Sequence, residues 1–221
     1  MKTTGKIMSA ILAAAMMFGL TACSKKTDIS PEALIKATSV YNGKSYDDAD
    51  KFLSKYDDLE EYGKPIVLSV KGEDAQEYYD DFFNMYGYYA DVDVETLVAF
   101  AFDYDDYENN GLYGYMVMTS IVCESEDEAQ KLYESLISGV ANKDDPKIIS
   151  EDEHEPFVVV YEERPEVPDI CHWGIYKQGD TVFYLDGLTD DKDTKVHQMF
   201  KDICKKLNIK DPAEAVKESD K

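Results

Sequence analysis

Aromatic side chains and carboxylates alternate closely in the middle of this 221-residue chain. Residues 78–115 hold 13 of the 27 aromatic residues, with seven aspartates among them. A sugar stacks its C–H face on an aromatic ring while its hydroxyls donate to carboxylates, so this composition is typical of a sugar-binding or partner-facing surface. The alternative is that the rings form the core of a helix and two strands. The candidate ligand-binding residues are Tyr78, Tyr79, Tyr86, Tyr88, Tyr89, Tyr104 and Tyr107.

Oxygen-bearing side chains at alternate positions indicate a second candidate site. Asp106, Glu108 and Asn110 precede Gly111, as in the first half of an EF-hand calcium loop. The second half departs from that pattern, because Val117 stands where the bidentate glutamate belongs. A hairpin turn with solvated acidic side chains explains the same residues. We therefore expect no cofactor, with Ca²⁺ at this half-motif as the open alternative.

Residues for catalysis are sparse. The three histidines are scattered, and no nucleophile elbow, zinc-binding helix or phosphate-cradling glycine loop is present. Carboxylates are so numerous that the sequence selects no catalytic pair, although a glycosidase needs only two. The chain is therefore expected to be noncatalytic, and a hydrolase of cell-surface polymer is the alternative.

The first 23 residues carry an export signal. Lys2 and Lys6 precede an apolar run from Ile7 to Leu20, which is too short for an ordinary transmembrane helix. Leu20-Thr21-Ala22-Cys23 resembles the bacterial lipobox, in which a peptidase cuts before a cysteine that carries diacylglycerol. This resemblance implies a signal peptide at 1–22, a lipid on Cys23 and an extracytoplasmic location on a bacterial membrane. Residues 23–30 are then a lipidated cysteine and a short spacer.

The charge of the mature chain excludes some partners. All 46 acidic residues but only 21 of the 23 basic residues lie beyond position 22, which gives a net charge of −25. Such a field repels nucleic acid and anionic lipid headgroups and favours cationic partners. Arg164 is the only arginine, so a guanidinium group can bind a phosphate or carboxylate ligand through two parallel hydrogen bonds at one position at most.

Length and patterning predict one α+β domain over residues 31–210, with a frayed tail at 211–221. Apolar periodicity predicts helices near 31–40, 47–62, 73–86, 125–140 and 191–207. It predicts strands at 66–70, 92–104, 113–123, 157–162, 172–177 and 181–185. Cys123, Cys171 and Cys204 permit one disulfide and leave one thiol over, with the pairing open.

The order strand, helix, strand, strand, helix, strand over 66–162 is that of a ferredoxin-like, split βαβ core. Two helices precede this core, and a hairpin and helix extend it at the C-terminus. The hairpin Tyr176-Lys177-Gln178-Gly179-Asp180-Thr181-Val182 resembles one that leads into the closing helix of small uncharacterised surface lipoproteins, over roughly residues 172–208. That resemblance implies a fold and no activity.

These observations predict a lipid-anchored binding or adapter domain whose partner is a protein or a glycan. A solute receptor of a transporter is disfavoured, because such receptors usually have two lobes and this chain is expected to have one.

Overall fold

The computed structural model describes residues 27–57, 64–85, 90–106, 112–141, 147–151, 157–163, 170–189 and 195–210. Eight strands form one sheet: β1 (Lys44–Tyr46), β2 (Ile66–Lys71), β3 (Val94–Asp106), β4 (Leu112–Cys123), β5 (Lys147–Glu151), β6 (Phe157–Glu163), β7 (Ile170–Gln178) and β8 (Thr181–Thr189). Five α-helices accompany them: α1 (Pro31–Thr38), α2 (Ala49–Asp57), α3 (Glu73–Met85), α4 (Glu126–Ala141) and α5 (Lys195–Leu207). No helix in these described ranges is both long and apolar enough to cross a bilayer.

The order of strands in the sheet is β1-β2-β3-β4-β8-β7-β6-β5. Only the β1–β2 pair is parallel, and the other neighbours are antiparallel. The mixed α and β composition and the single sheet agree with the predicted α+β domain. Strands β1 and β5 are absent from the predicted strands, since β1 has three residues and β5 lies in a stretch rich in acidic residues.

The split βαβ arrangement is not confirmed. A helix that joins two strands directly delivers the chain to a parallel strand, but β2 and β3 pair antiparallel, with Ile66 opposite Ala101. The cause lies in residues 90–93, which return the chain alongside α3 before β3 begins. Gln76 Nε2 donates to the carbonyl of Val92 at 3.2 Å, and Gln76 Oε1 accepts from the amide of Val94 at 2.8 Å. This return places the start of β3 beside the end of β2.

The sheet has a hydrophobic core on each face. Helices α2, α3 and α4 cover one face, with Phe52, Phe83 and Leu132 among its buried side chains. Helices α1 and α5 cover the other face, with Leu34 and Ile203 buried there. Alternate residues of each strand point to opposite faces, which is why β3 and β4 supply apolar side chains to both cores.

Sequence signals define the helix starts. Ser30 caps α1, since its Oγ accepts from the amide of Ala33 at 3.3 Å, and Pro31 follows at the first turn. Ser125 Oγ accepts from the amide of Glu128 at 3.3 Å, which is half of the capping box that the spacing of Ser125 and Glu128 allows. The Glu128 carboxylate does not complete the box and instead accepts from the amide of Asp93 at 3.0 Å.

Residues 27–30 belong to the folded domain and not to the predicted spacer. The amide of Asp28 donates to the carbonyl of Leu207 at 3.0 Å, and Thr27 Oγ1 donates to the carbonyl of Asn208 at 3.0 Å. Ile29 is buried in the core beneath α1 and α5, and its carbonyl accepts from Ser120 Oγ at 2.6 Å. The domain therefore includes Thr27, which leaves at most residues 24–26 as a spacer after Cys23.

Candidate functional site

Two of the predicted ligand-binding tyrosines lie in the core. Tyr78 and Tyr79 are both 0% exposed, and their rings stack on Phe82 and Phe83 with centroids 5.3 Å apart. The hydroxyl of Tyr79 donates to the carbonyl of Ala90 at 2.7 Å, so it holds the return segment that precedes β3. For these two residues the structure supports the alternative that the rings form the core, and neither offers a ring to a ligand.

The other predicted tyrosines fall largely outside the described residues. Tyr86, Tyr88, Tyr89 and Tyr107 are among those not described, and Tyr104 is described only as a backbone position in β3. The calcium half-motif also lies largely outside the described residues. Glu108 and Asn110 are not described, and Asp106 is described only as the last backbone position of β3. Strands β3 and β4 pair up to Asp106 opposite Leu112, as the predicted hairpin requires.

A polar cluster that the sequence analysis did not single out lies on the sheet face beneath α2, α3 and α4. Tyr115 Oη donates to Asp186 Oδ1 at 3.2 Å, and Tyr184 Oη donates to Asp186 Oδ2 at 3.4 Å. The two oxygens of one carboxylate thus each accept from a phenol. Tyr115 and Asp186 are half-buried and Tyr184 is buried. We call Asp103, Tyr115, Tyr184 and Asp186 the Tyr115–Asp186 cluster.

Asp103 joins this cluster through the register of the sheet. It lies directly opposite Tyr115 in the β3–β4 pair, and one of its carboxylate oxygens is shielded from solvent. Asp186 lies opposite Val117 on the other side of β4. The two carboxylates therefore flank β4 on one face, with their strands about 10 Å apart at two strand spacings of about 4.8 Å.

Helix α3 and strand β8 fix the shape of the cluster. The Tyr184 ring meets the ring of Phe83 near the end of α3 at a centroid distance of 5.7 Å, edge to face. This ring contact holds Tyr184 in place, and its hydroxyl lies within hydrogen-bond distance of Asp186. Chemically, the cluster offers carboxylate acceptors held by tyrosines, which suits a ligand that donates several hydrogen bonds.

The alternation of β3 contains a signal that could have identified part of the cluster. Leu97, Ala99 and Ala101 point into the core, and Asp103 occupies the next position on the same face. Asp186 likewise follows Val182 and Tyr184 in β8. A charged residue in an otherwise apolar inward series is informative, because burying a carboxylate costs free energy unless it is paired.

A second group of carboxylates lies where β4 meets α4. Carboxylate oxygens of Asp93, Glu124 and Glu128 lie within 4.8 Å of one another, and such oxygens can hold a divalent cation. Asp93 and Glu124 are exposed and Glu128 is half-buried. Glu128 already accepts the amide of Asp93, and the carbonyl of Asp93 accepts the amide of Glu124 at 2.9 Å. The group is thus explained as a link between the start of β3 and the start of α4.

The two cysteines whose side chains are described, Cys123 and Cys204, lie in different cores. Cys123 is buried beneath α4, and Cys204 is buried beneath α1, on the opposite face of the sheet. A Cys123–Cys204 disulfide is therefore excluded by the sheet between them. Burial raises the pKa of the Cys123 thiol to about 12, and the charges of Glu128 and Asp180 add to the rise. This thiol is accordingly inert at neutral pH.

No protein-family model and no curated protein sequence matches this chain. Among solved structures, the chain is similar to the extracellular domain of PknH from Mycobacterium tuberculosis. The identity is 13%, the match covers 66% of this chain and 83% of that chain, and the TM-score is 0.37. A likeness at this TM-score carries no conclusion about the activity of the present protein.

Proposed function

We propose that this protein is an exported lipoprotein, anchored through Cys23, whose single α+β domain is a noncatalytic binding module. The partner is a glycan or a protein that donates hydrogen bonds to the Tyr115–Asp186 cluster. Support for the anchor comes from the lysine-containing start, the 14-residue apolar run and the Leu20-Thr21-Ala22-Cys23 motif. Nucleic acid is excluded as a partner by the charge of −25.

The observation that carries the binding proposal is the pair of phenol contacts to Asp186. Burying a carboxylate partly in a sheet is costly, and here the cost is offset by Tyr115 and Tyr184. The result is a carboxyl group held in a fixed orientation beside half-buried aromatic surface. A pyranose uses such an arrangement, with its C–H face on the ring and a hydroxyl on the carboxylate.

The substitution Asp186→Asn tests whether the Tyr115–Asp186 cluster binds the ligand. It keeps the size of the side chain and removes the charge, so the loss of charge-assisted hydrogen bonds should weaken ligand binding about 10- to 100-fold. Binding of cell-envelope polysaccharide fragments to the mature chain is measured by titration calorimetry, with circular dichroism confirming the fold. The matched control is Asp127→Asn, an exposed residue in the first turn of α4.

Two results decide the outcome. Equal affinities for wild type and Asp186→Asn would refute the assignment of the site. Binding of a purified protein in place of polysaccharide, weakened by Asp186→Asn and not by Asp127→Asn, would retain the site and identify the partner as a protein.

The anchor is tested separately. Mass spectrometry of the N-terminal peptide from bacterial membranes should show diacylglycerol on Cys23, and Cys23→Ala should release the protein from the membrane fraction. An unmodified Cys23 in the wild-type protein would refute the lipoprotein assignment.

The alternative function, hydrolysis of a cell-surface polymer, is favoured by Asp103 and Asp186 on one face. Release of reducing ends by the wild-type protein, abolished in both Asp103→Asn and Asp186→Asn, would establish it. Binding without turnover would leave the noncatalytic proposal in place.

A further inference from the structure

The charge of the mature chain is distributed unevenly over the two faces. Residues 24–42, which lead into and include α1, hold three lysines and two acidic residues. Residues 195–210, which include α5, hold five lysines and one aspartate. These two segments together have a net charge of +5, so the rest of the mature chain has −30. The expectation of uniform repulsion from anionic lipid does not apply to the face formed by α1 and α5.

Helices α1 and α5 form one continuous surface. Lys206 Nζ donates to the carbonyl of Ala37 at 2.8 Å and lies 5.3 Å from the centroid of the Tyr41 ring. Lys36, Lys201 and Lys205 are exposed. Basic side chains from both helices therefore present their charge to the same side of the sheet.

Exposed apolar side chains lie on the same surface. Among the residues whose side chains are described, the large hydrophobic residues left exposed are Ile35, at 41%, and Val40, at 60%. Ile35 is in α1 next to Lys36, and Val40 lies in the 3-10 turn that follows. Apolar side chains among lysines are typical of a surface that rests at the headgroup boundary of a bilayer.

The proposed tether keeps the end of the sheet that carries Thr27 close to the membrane. Three residues, 24–26, lie between Cys23 and Thr27, and the four steps from one Cα to the next span at most about 14 Å when fully extended. Thr27 is fixed at the end of the sheet where its carbonyl accepts from Gln178 Nε2 at 3.1 Å. Ile29 fixes the following chain on the α1–α5 face.

We propose that the α1–α5 face, with Lys36, Lys205, Lys206, Ile35 and Val40, docks on the anionic lipid surface of the membrane that holds the protein. This inference rests on the proposed lipid at Cys23. Lysines near an anionic surface are attracted to it, and the −30 of the remaining chain is repelled from it, so both terms favour the same orientation.

The docked orientation determines where the candidate ligand site faces. The Tyr115–Asp186 cluster lies on the opposite face of the sheet from Ile29. Asp186 is also five residues along β8 from Thr181, which pairs with Gln178 beside the attachment point, or about 17 Å away. The cluster therefore points away from the bilayer, where a partner can approach it.

The test places an environment-sensitive fluorophore on either side of the domain. Val40→Cys labels the proposed docking face, and Lys131→Cys labels the exposed surface of α4 on the other face. Both chains carry Cys171→Ser, while Cys123 and Cys204 are buried and do not compete for the label. The lipidated proteins are placed in vesicles of phosphatidylcholine with or without phosphatidylglycerol, and quenching by headgroup-spin-labelled lipid is measured.

Stronger quenching at position 40 than at position 131, increasing with phosphatidylglycerol, is the expected result. The double reversal Lys36→Glu with Lys205→Glu should remove this difference. The control Lys51→Glu with Lys55→Glu makes the same change in net charge on exposed residues of α2, which covers the opposite face of the sheet, and should leave the difference intact. Equal quenching at the two positions, or no response to phosphatidylglycerol, would overturn the proposal.

Mass spectrometry of Cys23 in the same samples separates this proposal from the proposed anchor. If Cys23 is unmodified, the anchor fails, and the face is tested by sedimentation of the unlipidated chain with phosphatidylglycerol vesicles. The double reversal should then lower partitioning roughly 30-fold, the factor that corresponds to about 1 kcal/mol for each of two lysines. An unchanged partition coefficient would refute the docking face.

Discussion

Gly187→Ala should destabilise the protein, because α5 approaches the sheet too closely at Gly187 for a side chain. A Cβ at this position would lie 2.4 Å from Cε2 of the buried Phe200 ring and 3.1 Å from the carbonyl oxygen of Tyr115. The ring would have to move within a packed core, which typically costs about 1–3 kcal/mol. For a domain of this size, about 2 kcal/mol corresponds to a fall in Tm of roughly 4–8 °C.

A double-mutant cycle with Phe200→Leu separates this clash from a general weakness of the strand. Urea denaturation followed by far-UV circular dichroism gives the free energy of unfolding of the wild type, both single variants and the double variant. In the Phe200→Leu background the smaller side chain leaves room for the alanine methyl group. Gly187→Ala should therefore lower the free energy of unfolding by at least about 1 kcal/mol less there than in the wild type. Equal losses of stability in the two backgrounds, or a Gly187→Ala single variant as stable as the wild type, would refute the placement of α5 over β8.

Three further outcomes are expected. Ser120→Ala should cost about 1–3 kcal/mol in urea denaturation, because it leaves the buried Ile29 carbonyl without its donor, whereas the exposed Ser54→Ala should change stability by less than about 0.5 kcal/mol. The Cys123 thiol should resist maleimide at pH 8 in the native protein and react in urea. Since its pKa rises from 9.0 to about 12 on folding, stability should fall between those pH values more in wild type than in Cys123→Ala. Millimolar Ca²⁺ and Mg²⁺ should raise the Tm by similar small amounts through screening of the −25 charge, and a rise specific to Ca²⁺ that is lost in Glu124→Gln would instead show a cation site.

Local patterns in the sequence predict most elements but not how the strands pair. The Ser30-Pro31 start, the Ser125 cap and the turn at Gln178-Gly179-Asp180 act within a few residues, so they can be recognised directly. The direction of β3 depends on Gln76 and Tyr79 binding the return segment 90–93, which no periodicity indicates. Strand β1 has only three residues and lies at the sheet edge, so it gives no alternation to detect.

The sequence likewise indicates only some of the residues of the candidate site. Aromatic and acidic composition singled out residues 78–115, which include Asp103 and Tyr115, but Asp186 is 71 residues from Tyr115 and is brought to it only by the β4–β8 pairing. Composition also cannot distinguish an exposed tyrosine from a buried one. Tyr78 and Tyr79 are neighbours on α3, and both are buried because α3 packs on the sheet and beside α2, where the Phe52 ring meets the Tyr78 ring at a centroid distance of 5.8 Å.

The contact between the two ends of the domain bears on the timing of folding during the proposed export. Thr27 Oγ1 binds the carbonyl of Asn208 across 181 residues of chain. A polypeptide that emerges N-terminus first cannot form this contact until almost the whole domain has been translocated. In the proposed export of the chain, the segment next to Cys23 therefore stays unbound until the last helix arrives, which keeps the proposed lipid attachment site accessible to a modifying enzyme.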